Sequence, residues 1–361
     1  MLLKYLLIPL ILLSIVTCRP KPHSTEVTRG FYYWQSNPRQ LEDSTLTTLQ
    51  KEHIQKLYVK FFEVEPDELF GNVPSSKSAL TIKPVYNTND TLRKNVYHHL
   101  TIVPTVFIRN SVLKNINTQD LDTLAYNIVF LVEKYYSEKY TYYTEHKINY
   151  NEIQIDCDWT MSTKDAYFYL LKKIKAFCNK PISATLRLYA YKYPDKMGVL
   201  PVDRAMLMCY NLENPLKNPN KNSILDINTF ESYLKKTPRY PIPLDIALPV
   251  YDWMHWYHLK QFQGIIYNTK YTLLEEALLP TRPFWYVAKK NVVVDNILIK
   301  AGDEIKLERI NANTIHQTIA LLQKHVSFSN KTTVALFHLD TKLNGLYSYE
   351  ELDSFYSDFT K

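Results

Sequence analysis

An α/β fold closed as a (β/α)8 TIM barrel is predicted by three observations. Eight strand-like segments recur along the chain, stretches of helical periodicity separate most of them, and the fourth segment carries its polar side chains on one face only. An open doubly wound sheet would show the same alternation and is the competing architecture.

The segments follow in order. GFYYWQ (30–35) opens the series, helical spacing runs through 41–55, and KLYVKFFEV (56–64) follows. Glu63 and Glu65 close this second strand ahead of Pro66. The stretch 65–98, with scattered Pro and Asn and little periodicity, is expected to be a long loop. LTIVPTVFI (100–108) and a helix over 118–138 lead to EIQIDCDW (152–159). There Ile153, Ile155 and Cys157 alternate with Gln154, Asp156 and Asp158, and Ser162 is placed to cap a helix over 162–178. ISATLRLYA (182–190) puts Ser183, Thr185, Arg187 and Tyr189 on one face, a polar set for a buried strand. AMLMCY (205–210), LDIALPVY (244–251) and TVALFHLD (333–340) complete the eight, with helices over 312–325 and 348–358. After the seventh strand, about 260–311 reads as a small α+β insertion, punctuated by turns at Asn291 and at Ala301-Gly302.

The N-terminus points to export. One Lys precedes a nearly unbroken apolar run from Tyr5 to Val16, the length of a signal-peptide core, and the polar RPKPHSTE follows. Ile15-Val16-Thr17-Cys18 is similar to a bacterial lipobox, with Thr17 where Gly, Ala or Ser is usual. The expected organisation is a signal peptide over 1–17, an acylated Cys18, a linker over 18–28 and a barrel over 29–361. The expected location is the bacterial cell envelope, at the outer membrane, with a lipid anchor; a plain signal peptide or an uncleaved anchor is the alternative. No later run approaches the roughly 20 apolar residues of a membrane span.

Composition excludes several classes. The 43 Lys and Arg against 36 Asp and Glu give a net charge of +7, but the basic residues are scattered, and nucleic acid is not an expected partner. Six glycines, none spaced as GxGxxG or as a Walker loop, remove the usual dinucleotide and nucleotide motifs, and no cofactor is expected. The four cysteines form no CxxC, and Cys157 and Cys209 lie in apolar strand patterns that suit buried thiols. His255 and His258 lack a third ligand at helical spacing, so no metal site is expected.

Polar and aromatic residues collect where a barrel puts its reactive groups, at the C-terminal ends of the strands. Asp156 and Asp158 end strand four, Arg187 and Tyr189 strand five, and Tyr210 and Asn211 strand six. Tyr251, Asp252 and Trp253 follow strand seven, and Trp34 ends strand one. Carboxylates with aromatic faces beside them suit an oligosaccharide. Trp256 and Trp285 could also be sugar platforms, although a single Trp is more often core. Glu63, Glu65, His338 and Asp340 are further strand-end candidates. The bland account pairs one aspartate with Arg187 and gives the other bonds from loop amides.

Aligned on strand four, Asn151-x-x-Gln154-x-Asp156-x-Asp158 resembles the D-x-x-D-x-D-x-E signature of the family 18 glycoside hydrolases, which include chitinases and endo-β-N-acetylglucosaminidases. Met208-Cys209-Tyr210-Asn211 resembles their M-x-Y-(D/N), and several members carry an α+β subdomain after strand seven. The overall plan is also similar to a group of Bacteroidetes lipoproteins with glycosidase-type barrels. The resemblance implies a retaining, substrate-assisted mechanism. Asp158 would be the general acid, Asp156 its partner at the substrate acetamide, and Tyr210 the anchor of the acetamide carbonyl. Asp158 stands where the family has Glu, which sets its carboxyl back by roughly 1.3–1.5 Å, and a displacement of about 1 Å can cost a hundredfold in rate. Asn151 and Gln154 replace two acids that would help hold a proton on the donor. A barrel acting on N-acetylated oligosaccharide, a degenerate barrel that only binds glycan, and a structural envelope lipoprotein all stay open at this point.

Overall fold

The computed structural model describes residues 26–36, 40–69, 71–82, 90–141, 150–267, 274, 276–294, 296–340 and 343–360. Cys18, the signal peptide expected over 1–17 and most of the linker lie outside the described residues. Eight parallel strands close a barrel. They are β1 (Glu26–Tyr33), β2 (Lys56–Asp67), β4 (Thr101–Ile108), β5 (Ile153–Asp156), β6 (Ile182–Arg187), β7 (Arg204–Met208), β8 (Leu244–Pro249) and β16 (Lys331–Phe337). Each pairs with the next, and β1 joins both β2 and β16. The helices that follow them are α1 (Asp43–Lys51), α2 (Thr91–His99), α3 (Thr118–Tyr136), α4 (Lys164–Phe177), α5 (Leu188–Lys192) with α6 (Pro194–Met197), α7 (Ile227–Leu234), α8 (Ala312–His325) and α9 (Tyr349–Ser357). This is the (β/α)8 barrel that the alternation predicts, and the open-sheet alternative falls.

Two stretches depart from the expected irregularity. The loop expected over 65–98 contains β3 (Gly71–Ser75), a hairpin partner of β2, as well as α2. The stretch after β8 builds a five-stranded antiparallel sheet from β9 (Trp253–His258), β10 (Gln261–Tyr267), β11 (Leu278–Arg282), β12 (Trp285–Ala288) and β15 (Glu304–Glu308). A separate hairpin pairs β13 (Val292–Val294) with β14 (Ile297–Ile299). The sheet starts at Trp253, two residues after the seventh predicted strand ends.

Alternation along each strand sorts the core. Ile153, Ile155, Ala184, Leu186, Ala205, Leu207, Ile246 and Leu248 point outward beneath the helices and are fully buried. The inward positions are strongly polar. Lys56 pairs with Glu152 at 2.7 Å, the Ser183 hydroxyl donates to Glu152 at 2.6 Å, and Tyr32 donates to Gln154 at 2.7 Å. The Tyr32 ring stacks on Tyr58, with centroids 4.9 Å apart. Gly30 belongs to this packing: a Cβ there would lie 3.3 Å from the Lys56 carbonyl and 3.5 Å from the Tyr58 ring.

Asp245, 1% exposed, accepts two hydrogen bonds from Arg204, at 2.9 and 2.7 Å, and a third from the Thr333 N–H at 2.7 Å. It ties β7, β8 and β16 at one level. Asp245→Ala should strand the guanidinium and the amide and lower stability by about 3 kcal/mol or more. Asp245→Asn, which keeps an acceptor for Thr333, should lose less. Urea unfolding midpoints at constant slope test both.

Candidate functional site at the barrel mouth

Above the Tyr32 level the lumen opens on the C-terminal ends of the strands. Asp156 is the last residue of β5 and faces inward, where Oδ1 accepts a 2.6 Å hydrogen bond from the Thr185 hydroxyl of β6. Burial pushes the Asp156 carboxyl up to about 7; the Thr185 bond pulls it down, Asp158 raises it, Arg187 lowers it and Glu63 raises it. Asp156 therefore keeps its proton through the acid range and releases it near neutral pH.

Asp158 lies past the strand end. The predicted strand runs to 159, but β5 stops at Asp156, so Asp158 sits on the loop with its side chain 57% exposed. Its Oδ1 is 3.5 Å from Nε of Arg187, whose Nη2 also donates to the Trp159 carbonyl at 2.5 Å. Trp159 itself is buried against Tyr167 and Phe168. Of the expected strand-five face, Ser183, Thr185 and Arg187 point into the lumen. Tyr189 does not, because the strand ends at Arg187 and α5 begins at Leu188.

Arg187, Tyr189, Tyr210 and Asn211 line one cleft of about 380 Å³, together with Met161 and Tyr233. Tyr210 is 5% exposed and packs on Phe337, with centroids 5.0 Å apart, and edge-on to Tyr251 at 6.2 Å. Burial raises its hydroxyl pKa well above the usual phenol value, with Tyr32 and Asp156 adding to the shift. Asn211 adopts a left-handed φ of 54° and accepts a 2.7 Å hydrogen bond from the Tyr251 hydroxyl, which fixes the amide at the cleft edge.

The other predicted residues take different places. Trp34 is partly buried at the rim, against Tyr32 and Phe337, with the Lys60 ammonium 5.6 Å from its ring centre. Asp252 is 1% exposed behind Tyr251, with Arg309 Nε 3.8 Å away. Trp253 opens β9 and donates its indole N–H to Glu308. Trp256 donates to Asp303 at 2.7 Å and Trp285 to the Pro219 carbonyl at 2.8 Å, so both serve the inserted sheet. Lys60 was not among the expected site residues, although it is the one charge inside LYVKFF. It is 5% exposed, faces the lumen and pairs with Glu63 at 2.8 Å. Arg109 bridges Glu63 and Glu65, at 3.4 and 2.9 Å. Phe337, the last residue of β16, is a second such residue, legible in its alternation with Thr333 and Ala335.

No family model and no curated protein matches the sequence. Solved structures match the fold, among them chitinases and chitinase-like proteins. The Group IV chitinase of Ostrinia furnacalis aligns with a TM-score of 0.50 at 10% identity, over 93% of this chain and all of that one. The spore cortex-lytic enzyme SleL of Bacillus cereus aligns at 0.47 and 14% identity, over 95% and 76%. The chitinase-like agglutinin of Robinia pseudoacacia aligns at 0.47 and 11%, over 92% and 99%. The chain thus shares the (β/α)8 barrel fold of the Ostrinia chitinase.

The raised Asp156 carboxyl has a thermodynamic consequence. An unfolded aspartate titrates at about 3.9. Between that value and about 7 the native state holds a proton that the unfolded chain has released, so stability falls as pH rises through this window. Asp156→Asn should flatten the decline and raise stability at pH 8 by about 2–4 kcal/mol. Unfolding midpoints measured from pH 4 to pH 8 in both chains check it.

Proposed function

We propose that this protein is a lipid-anchored barrel of the bacterial cell envelope that binds an oligosaccharide of N-acetylated sugar across the cleft of Arg187, Tyr189, Tyr210 and Asn211. Binding, rather than hydrolysis, is the activity the geometry supports best. The observation that carries this reading is the Arg187–Asp158 pair. A general acid must be aimed at the glycosidic oxygen, whereas Asp158 is turned to Arg187 at the rim and is not among the residues that line the cleft. The shorter Asp at this position adds to the argument. Tyr210 and Asn211 need no proton transfer to hold a sugar, and the exposed Tyr189 ring offers an apolar face to one.

A second reading, substrate-assisted hydrolysis, is favoured by one observation: Asp156 keeps its proton up to near neutral pH beside Tyr210. In that reading substrate draws Arg187 off Asp158, and the acetamido group acts as nucleophile.

Glycan-array binding and turnover of N-acetylglucosamine oligosaccharides separate the two. Binding without turnover is expected from wild type, unchanged affinity from Asp158→Asn, and roughly tenfold weaker binding from Tyr189→Ala, the loss of one aromatic platform. Turnover abolished by Asp158→Asn and reduced by Tyr210→Phe would establish hydrolysis instead. Neither binding nor turnover would leave a structural envelope role.

The anchor rests on the apolar run that ends in IVTC. Mass spectrometry of the N-terminal peptide from membranes should find Cys18 acylated as the first residue. An unmodified Cys18 or a different start overturns it.

A further inference from the structure

The end of the barrel opposite the mouth carries a larger cavity, of about 840 Å³. It lies among the N-terminal ends of β1, β2, β4 and β16 and the C-terminal ends of α1 and α2. We propose that this face is the surface turned to the membrane, and that its cavity takes a phosphate-bearing phospholipid headgroup. The proposal rests on the reading of Cys18 as the anchor.

Three observations carry it. First, the tether ends at this face. β1 begins at Glu26 and runs from here toward the mouth, and Thr28, on the second inward turn of the strand, lines the cavity. Eight residue steps separate Cys18 from Glu26, a reach of at most about 28 Å when fully extended. A barrel held so closely by this end turns it to the bilayer, and the mouth then points away.

Second, the sequence of the tether suits anionic lipid. Arg19, Lys21 and His23 lie between Cys18 and Glu26, and no acidic residue accompanies them. Arg19 and Lys21, held beside an anionic leaflet, are attracted to it.

Third, the cavity offers the phosphate of a headgroup its partners. Lys56, Lys331, His53 and His99 line it as donors, and among the described residues that line it there is no carboxylate. Lys56 and Lys331 keep counter-ions just outside, Glu152 and Glu26, both at 2.7 Å. Several donors in a lining without a carboxylate fit the phosphate of a headgroup such as that of phosphatidylethanolamine.

The test supplies the tether chemically, so that its failure and the failure of acylation in cells are separable. The described cysteines, Cys157, Cys178 and Cys209, are buried, so a lipid maleimide couples at Cys18 of the chain starting there. Hydrogen exchange is then compared on vesicles of phosphatidylethanolamine with phosphatidylglycerol and on vesicles of a neutral glycolipid that lacks phosphate. Amides of 51–56 and 95–101 should exchange at least several-fold more slowly on the phospholipid only, while 157–162 and 209–213 stay unchanged. The charge reversals Lys331→Glu and His99→Glu, at exposed positions, should each remove that protection. Protection at the mouth, equal protection on both vesicles, or protection that survives both reversals overturns the proposal. A normal unfolding midpoint in each variant confirms that the loss is not one of folding.

Discussion

The barrel depends on keeping its own polar interior satisfied. From the lower end to the mouth the lumen holds Lys56, Glu152, Ser183, Gln154 and Tyr32, linked pair by pair by hydrogen bonds across β2, β5, β6 and β1. A buried polar group without a partner costs about 1–3 kcal/mol, so each strand must present its donor or acceptor at one height. Slipping one strand by a residue would turn this set toward the helices and the apolar set inward. The network therefore fixes the register of β5, a strand of four residues that has little else to hold it. It also leaves the top position, Asp156, with the Thr185 hydroxyl as donor, which is why burial dominates that carboxyl.

The arrangement at the mouth follows from where β5 and β6 stop. Because β6 gives way to a helix at Leu188, Arg187 is the last side chain the strand can aim across the rim. It meets Asp158 and the Trp159 carbonyl on the neighbouring loop, and so joins the two strand ends. The aromatic wall is set differently, by ring packing of Phe337 with Tyr210, Tyr251 and Trp34. Of these rings Tyr210 also lines the cleft, beside Arg187, so the two arrangements meet there.

Much of this was legible from the chain alone. The alternation in EIQIDCDW told which side chains face the lumen, because period two survives into the folded strand. It also misled: the alternation continues through Cys157 and Asp158 after the ladder has ended, and the ends of β5 and β6 were placed three residues too late. Tyr189 kept the spacing of a strand residue while belonging to a helix. LDIALPVY read as a strand up to Tyr251, although β8 ends at Pro249, and Trp253, expected just beyond that strand, opens another sheet. The Arg187–Asp158 contact was anticipated as the ordinary alternative to catalysis. The Lys60–Glu63 pair was not, because nothing local marks a lysine that will find its partner three residues on in a bulged strand.

The inserted sheet is fastened by a device that no periodicity reveals. Lys306 and Glu308, both fully buried, pair at 2.6 Å, and between them hold the Lys221 carbonyl and the Ser223 amide and hydroxyl of the segment after β7. That same segment begins with Tyr210 and Asn211. The appendage is thus no detachable cassette. In a lineage of such proteins, a change at Lys306 or Glu308 would have to be matched by change in the cleft-bearing loop. Divergence of ligand preference and divergence of the appendage should travel together, as coupled characters rather than independent ones.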